Sequence, residues 1–264
     1  MSGPHSARSP AFFLATPLGS APARLEEEDE RHALRVLRLA AGARLTGIDG
    51  RGGRWPLTVR AAGRTLELEP AGPVESVPAP GQEGSSCPWF ELAVAWPRKN
   101  RVEEMLGRLT QLGAAGILPL RARQRGPEEV PEEAPARLQR VLREACKQCE
   151  RAWLPRLEGA RTPQELARDR KNAILALLDP AGGLPLDTWL RSLRPGPASL
   201  GTAERPIVLV VGPEGGFTEE EHEALREAGA AAVWLGAHVM RVETAAEAAM
   251  AVAAGVHASR PPRT

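Results

Sequence analysis

Short apolar runs alternate with amphipathic stretches over most of the chain. The runs at 90–96, 117–120, 172–178, 207–211 and 232–235 are aliphatic or β-branched and are bounded by glycine, proline or charge. That is the pattern of strands buried on both faces. Between them, 101–112, 136–151, the stretch from Thr218 onward and 244–258 carry helical spacing. The alternation predicts an α/β fold, a mostly parallel sheet flanked by helices. The first 70 or so residues read differently. A strand at 12–14 and a helix at 26–39 precede short strands at 44–48, 55–59 and 64–68, with turns at Asp49-Gly50 and Ala62-Gly63. This predicts a compact β-barrel. The stretch 70–88, PAGPVESVPAPGQEGSSCP, has no apolar period and marks a boundary. The expected organisation is a barrel over 1–78, a linker over 79–88 and a second domain over 89–264, with 260–264 a frayed tail.

Composition narrows the class. With 264 residues, 42% apolar and 25% charged, the chain has ordinary globular content, and no run is long enough to span a membrane. The opening MSGPHSARSP lacks the apolar core of an export signal, and three cysteines suit a reducing, cytoplasmic setting. A net charge of +1 does not announce a polyanionic partner, so any nucleic-acid contact must come from local patches. Two stand out: Arg31, Arg35 and Arg38 at helical spacing, and Arg121, Arg123 and Arg125 after a strand. Either set suits phosphate contacts or a solvated face. Cys146 and Cys149 share one face of a helix, and no histidine stands at metal-ligand spacing, so no metal is expected.

Chemistry concentrates near the C-terminal end, in VVGPEGGFTE. A buried strand runs into Gly212-Pro213-Glu214-Gly215-Gly216, and Thr218 with Glu221 forms a capping box for the helix that follows. Strand, glycine loop and helix start form a ligand site in α/β proteins, though the same features suit a surface turn. No Gly-Lys-Ser/Thr follows, and Glu214 with the acids at 219–221 would repel a polyphosphate, so a neutral or cationic nucleoside fits better. A second strand leads into LGAHVMRVETAAEAA, where Thr244 and Glu247 read as another capping box. The alanine-rich helix beyond suits a crowded core, a subunit interface or a plain buried helix.

The pair GPEGGFTEEE and LGAHVMRVETAAEAA resembles the RsmE family. The resemblance extends to His32-Ala33-Leu34-Arg35-Val36-Leu37-Arg38, to the segment 101–119, and to Glu144-Ala145, Gln148, Arg151 and Pro155. The sequence departs from the family's pattern at Arg108, Gln111 and Lys147, and Pro10-Ala11 stands where a basic residue is usual before Phe12.

The resemblance implies an N-terminal PUA-like barrel followed by a SPOUT domain with a trefoil knot, in a homodimer. It implies methylation, by S-adenosylmethionine (SAM), of N3 of one uridine in small-subunit ribosomal RNA, free or in the assembled subunit. It places the cofactor at Leu178, Gly212, Gly216, Leu235, Gly236, Val239 and Met240. Arg241 would face the uracil oxygens or the donor's carboxylate, Glu243 or Glu214 would take the N3 proton, and His32, Arg35, Arg38, Arg121 and Arg123 would contact RNA. The alternative is a non-catalytic RNA-binding module of ribosome assembly with a degenerate cofactor pocket.

Overall fold

The computed structural model describes residues 9–16, 23–85, 87–124, 130, 132–193 and 201–257. The C-terminal tail, Arg125 and the end of the last expected helix at Ala258 lie outside these. The chain divides into two compact units, residues 1–77 with 143–154, and residues 78–142 with 155–264.

The first unit is a six-stranded sheet. It contains β1 (Ala11–Thr16), β2 (Arg24–Leu25), helix α1 (Glu27–Arg35), β3 (Arg44–Ile48), β4 (Gly53–Ala62), β5 (Leu66–Pro70) and β6 (Glu75–Ser76). The order is β2-β1-β3-β4-β5, with β6 on β4, and β2 returns beside β5, so the sheet is barrel-like and nearly closed. Alternation on β4 and β5 sends Trp55, Leu57, Val59, Leu66 and Leu68 inward to meet Phe12, Leu14 and Leu45. Helix α1 is shorter than the expected 26–39. Arg38 adopts a left-handed φ of 51°, and the Leu39 N–H turns back to the Ala33 carbonyl at 3.0 Å, which ends the helix early.

The second unit opens with β7 (Phe90–Ala95), α2 (Lys99–Gln111) and β8 (Gly116–Leu120), and then α3 (Ala136–Cys149) begins. It continues with β9 (Arg156–Leu157), α4 (Pro163–Asp169), β10 (Ile174–Leu178), β11 (Leu184–Pro185), α5 (Leu186–Ser192), β12 (Ile207–Val211), α6 (Glu219–Glu227), β13 (Ala231–Trp234) and α7 (Val242–His257). Its seven-stranded sheet runs β11-β13-β10-β12-β7-β8-β9, every pair parallel. Strands β7, β8 and β12 are buried along their whole length, as strands covered on both faces must be. Helix α7 packs on α2, α5, β7 and β12 through Val242, Ala246, Ala249, Met250 and Ala253. Its small residues therefore serve close packing within this chain.

The second half of α3 belongs to the first unit. Cys146 is buried with Phe13, Ile48 and Leu154, and the Arg143 guanidinium lies 3.7 Å from the centre of the Phe13 ring. The Lys147 ammonium bonds the buried Asp29 carboxylate, which also accepts the Phe13 N–H at 2.7 Å. Burial opposes the Lys147 charge, yet hydrogen bonds to Asp29 and Glu144 outweigh it and raise its pKa. Burial likewise pushes the Cys146 thiol up to about 12. Because the thiolate is the reactive form, Cys146 is expected to escape alkylation at pH 8 in the folded protein and to react once urea exposes it, a contrast that mass spectrometry reads directly.

Candidate active site

Three loops follow the carboxyl ends of neighbouring strands and meet at one cavity of about 180 Å³. The first leaves β12. Gly212 sits under the Phe217 ring so closely that a Cβ there would come within 2.9 Å of it. The Gly216 N–H closes a turn on the Pro213 carbonyl at 2.8 Å, with Gly216 at φ +77°. Thr218 then caps α6: its N–H donates to the Glu221 carboxylate at 2.8 Å, and the Glu221 N–H donates to its hydroxyl at 3.3 Å.

The second loop, 235–241, leaves β13 and folds the Met240 methyl toward Gly236, where a Cβ would meet it at 3.0 Å. The third leaves β10. The Asp179 N–H donates to the Val233 carbonyl at 2.8 Å, and the Asp179 carboxylate accepts the Ala181 N–H at 2.8 Å, so the start of this loop is tied to β13.

All seven residues anticipated for the cofactor line this cavity: Leu178, Gly212, Gly216, Leu235, Gly236, Val239 and Met240. Glu214 lines it too. Arg241 and Glu243 do not. Arg241 is exposed and makes no ion pair among the described residues, while the Glu243 carboxylate is held by Arg101. The expected capping box at Thr244 is not formed. Helix α7 starts two residues earlier, at Val242, which places Thr244 inside the helix, and Glu247 turns to Arg108 at 3.0 Å.

Sequence reasoning missed Asp179, Phe217, His222 and His238 on the cavity wall. Phe217 stood in the quoted motif, and its tight fit against Gly212 was the signal available. No lysine or arginine lines the cavity, and two carboxylates, Asp179 and Glu214, do.

Glu221 does more than cap. Its carboxylate is buried and also accepts the Arg123 N–H at 2.8 Å, fastening the segment after β8 to the first loop. Replacing Glu221 with alanine leaves two amides without their acceptor and is expected to cost about 1–3 kcal/mol, read as a lower denaturation midpoint.

The residues anticipated for RNA lie elsewhere. His32, Arg35 and Arg38 are exposed at the end of α1 and the turn after it, with no carboxylate partner for Arg35 or Arg38 among the described residues. Arg121 pairs with Glu132 at 3.5 Å and Arg123 with Glu220 at 2.6 Å.

A family model described as the RNA methyltransferase domain matches residues 85–254. The ribosomal RNA small subunit methyltransferase E of a Synechocystis species is 31% identical over 92% of this chain and 78% of its own. The chain belongs to the RsmE family of RNA methyltransferases. The Mycobacterium bovis member, of the same name, is also 31% identical, over 94% of this chain and 92% of its own. A Legionella pneumophila protein, 25% identical over 94% of this chain and 98% of its own, superposes with a TM-score of 0.75 and was solved in complex with the cofactor SAM. The RsmE assignment makes the three-loop cavity the natural place to look for a methyl donor.

Proposed function

We propose that this RsmE-family protein methylates N3 of one uridine in small-subunit ribosomal RNA, with SAM bound in the three-loop cavity. The observation that carries the reading is the convergence of Leu178, Gly212, Gly216, Leu235, Gly236, Val239 and Met240 on one recess with no lysine or arginine. Apolar walls suit an adenosine, and Asp179 and Glu214 suit a donor that is itself a cation. SAM supplies an electrophilic methyl group on sulfonium sulfur. The uracil must lose its N3 proton, so that N3 bonds the methyl carbon as the carbon–sulfur bond breaks. Glu214, on the cavity wall, takes that proton directly or through one water. Arg241 steadies the negative charge that spreads onto O2 and O4. Glu243, engaged by Arg101, anchors the first turn of α7 and stands behind Glu214 as the alternative base.

The wider architecture follows the same reading. The nearly closed sheet is taken as a PUA-like barrel that meets RNA through His32, Arg35 and Arg38. The parallel sheet is taken as a knotted SPOUT domain. Supporting the knot, β13 pairs β10 on the side away from β12, yet the chain returns so that α7 packs on β12 and β7. Apolar exposure at Leu184, Trp234 and Val239 supports a homodimer, with the protein acting on ribosomal RNA in the cytoplasm. No helix among the described residues is long and apolar enough to cross a membrane.

The test is calorimetric titration with SAM, followed by incubation with labelled SAM and small-subunit RNA or particles and mass mapping of the product. Saturable binding and a methyl group on uridine N3 are expected. Failure to bind SAM at micromolar to millimolar levels leaves the RNA-binding assembly module, and a methyl group on any other atom overturns the assignment to N3.

A further inference from the structure

A second recess, of about 250 Å³, opens at the other edge of the parallel sheet. Its walls come from the amino ends of the strands: Glu91 on β7, Arg156 on β9, Ala173 just before β10 and Pro206 just before β12. In the sheet, Phe90, Ile207 and Ile174 stand in register at this edge, and Val94, Val211 and Leu178 at the cofactor edge. Five residues of strand separate the two, on the order of 15 Å.

The floor of the recess is fixed and internally paired. The buried Glu91 carboxylate accepts from the Trp89 indole N–H at 3.0 Å and from Arg170 Nε at 3.0 Å, and Arg170 Nη2 donates to Glu158 at 2.6 Å. Asp169 is taken by Arg161 at 3.1 Å. What remains leans positive. Arg156, Arg168 and Lys171 line the recess with no carboxylate partner among the described residues, against Glu204 and the one negative charge left over where Glu91 and Glu158 share Arg170. Arg156 is also pre-placed, because its guanidinium lies over the Trp89 ring, 4.7 Å from its centre. The contrast with the cofactor cavity is direct, since that cavity has carboxylates and no lysine or arginine.

We propose that this recess binds a phosphate-class oxyanion through Arg156, Arg168 and Lys171, and that its source is a backbone phosphodiester of the RNA. The choice of source rests on the reading of the protein as a ribosomal RNA methyltransferase. The anion chemistry itself does not, because free phosphate offers the same oxygens. A guanidinium fork and an ammonium around a polar pocket recognise such a group by charge-assisted hydrogen bonds. Bound there, the strand is gripped at a second point, well away from the base that is methylated, which adds register without adding to the chemistry.

The experiment compares the full-length protein with an Arg168→Ala/Lys171→Ala double variant; both side chains are exposed. Binding to a small-subunit RNA fragment is measured across salt concentrations, and SAM affinity is measured in parallel. For every phosphate that the variant no longer neutralises, the slope of log K against log salt should become shallower by about 0.7 to 0.9. The double variant is therefore expected to lose about 0.7 to 0.9 of a unit of slope and roughly tenfold in RNA affinity, with SAM affinity unchanged. An Arg168→Glu/Lys171→Glu variant should lose more. A second arm titrates inorganic phosphate into each protein without RNA and follows thermal stability. An unchanged RNA slope, with a saturable phosphate effect that only the wild type shows, assigns the recess to free phosphate. No change in either arm overturns the proposal. If the wild type binds no ribosomal RNA at all, the proposed substrate fails, and the phosphate arm decides the recess by itself.

Discussion

Gly212→Val is expected to weaken SAM binding by about 100-fold while leaving the protein folded. Even a Cβ at this position comes within 2.9 Å of the Phe217 ring. Phe217 cannot retreat inward, because it is packed with Ala93, Leu118, Val208 and Val210 in the sheet core. The ring or the loop must move toward the cavity that both residues line. Overpacking of this kind costs about 1–3 kcal/mol, which corresponds to roughly a 5- to 150-fold loss of affinity, and valine should sit at the upper end. The same cost is tolerable to a fold with about 5–15 kcal/mol in hand. Gly216→Ala is the control. A Cβ at Gly216 meets nothing within 4 Å, and the penalty comes only from its φ of +77°, about 1–2 kcal/mol of backbone strain. That variant should lose some thermal stability and keep SAM affinity within about fivefold. Calorimetry with circular dichroism on both variants checks the pair. Equal SAM affinity for Gly212→Val and wild type would remove the glycine loop from the site.

Arg241→Ala is expected to lower kcat by about 100- to 1000-fold, the range seen when one donor to a developing oxyanion is lost. SAM affinity should change by less than about threefold. The expectation rests on an oddity of placement. Arg241 stands immediately before α7, where the helix dipole disfavours a cation, and no carboxylate among the described residues compensates it. Its carbonyl accepts the Ala245 N–H at 2.9 Å, so alanine keeps the backbone role. Folding should therefore be unaffected or gain slightly. Arg241→Lys retains the charge but loses the planar fork, and should recover only part of the rate. A loss confined to the KM for SAM would instead give Arg241 to the donor's carboxylate.

The strands of the parallel sheet were legible because burial on both faces leaves little but aliphatic residues, as in β12. Helix α4 was not. It has only seven residues, too few for a period, and its cap of Thr162 with Glu165 was one Thr-x-x-Glu among several. The same four-residue spelling at Thr218 is a cap, whereas at Thr244 it lies inside a helix. The difference is that α7 already begins at Val242, and Glu247 pairs instead with Arg108, 139 positions away in sequence. The meeting of the glycine loop with 235–241 was inferred from resemblance, because loop spacing alone cannot say which strands lie side by side. The wall residue Asp179 was invisible for that reason too: its tie to Val233 exists only once β10 and β13 are neighbours.

The capture of Arg143–Leu154 by the first sheet has a practical outcome for anyone dissecting the gene. A fragment stopped at Val77 would strip Phe13 and Ile48 of Cys146 and Leu154, and would leave Asp29 without an ammonium. Such a piece is expected to precipitate, so the first 77 residues cannot be grafted onto another enzyme as a ready-made part.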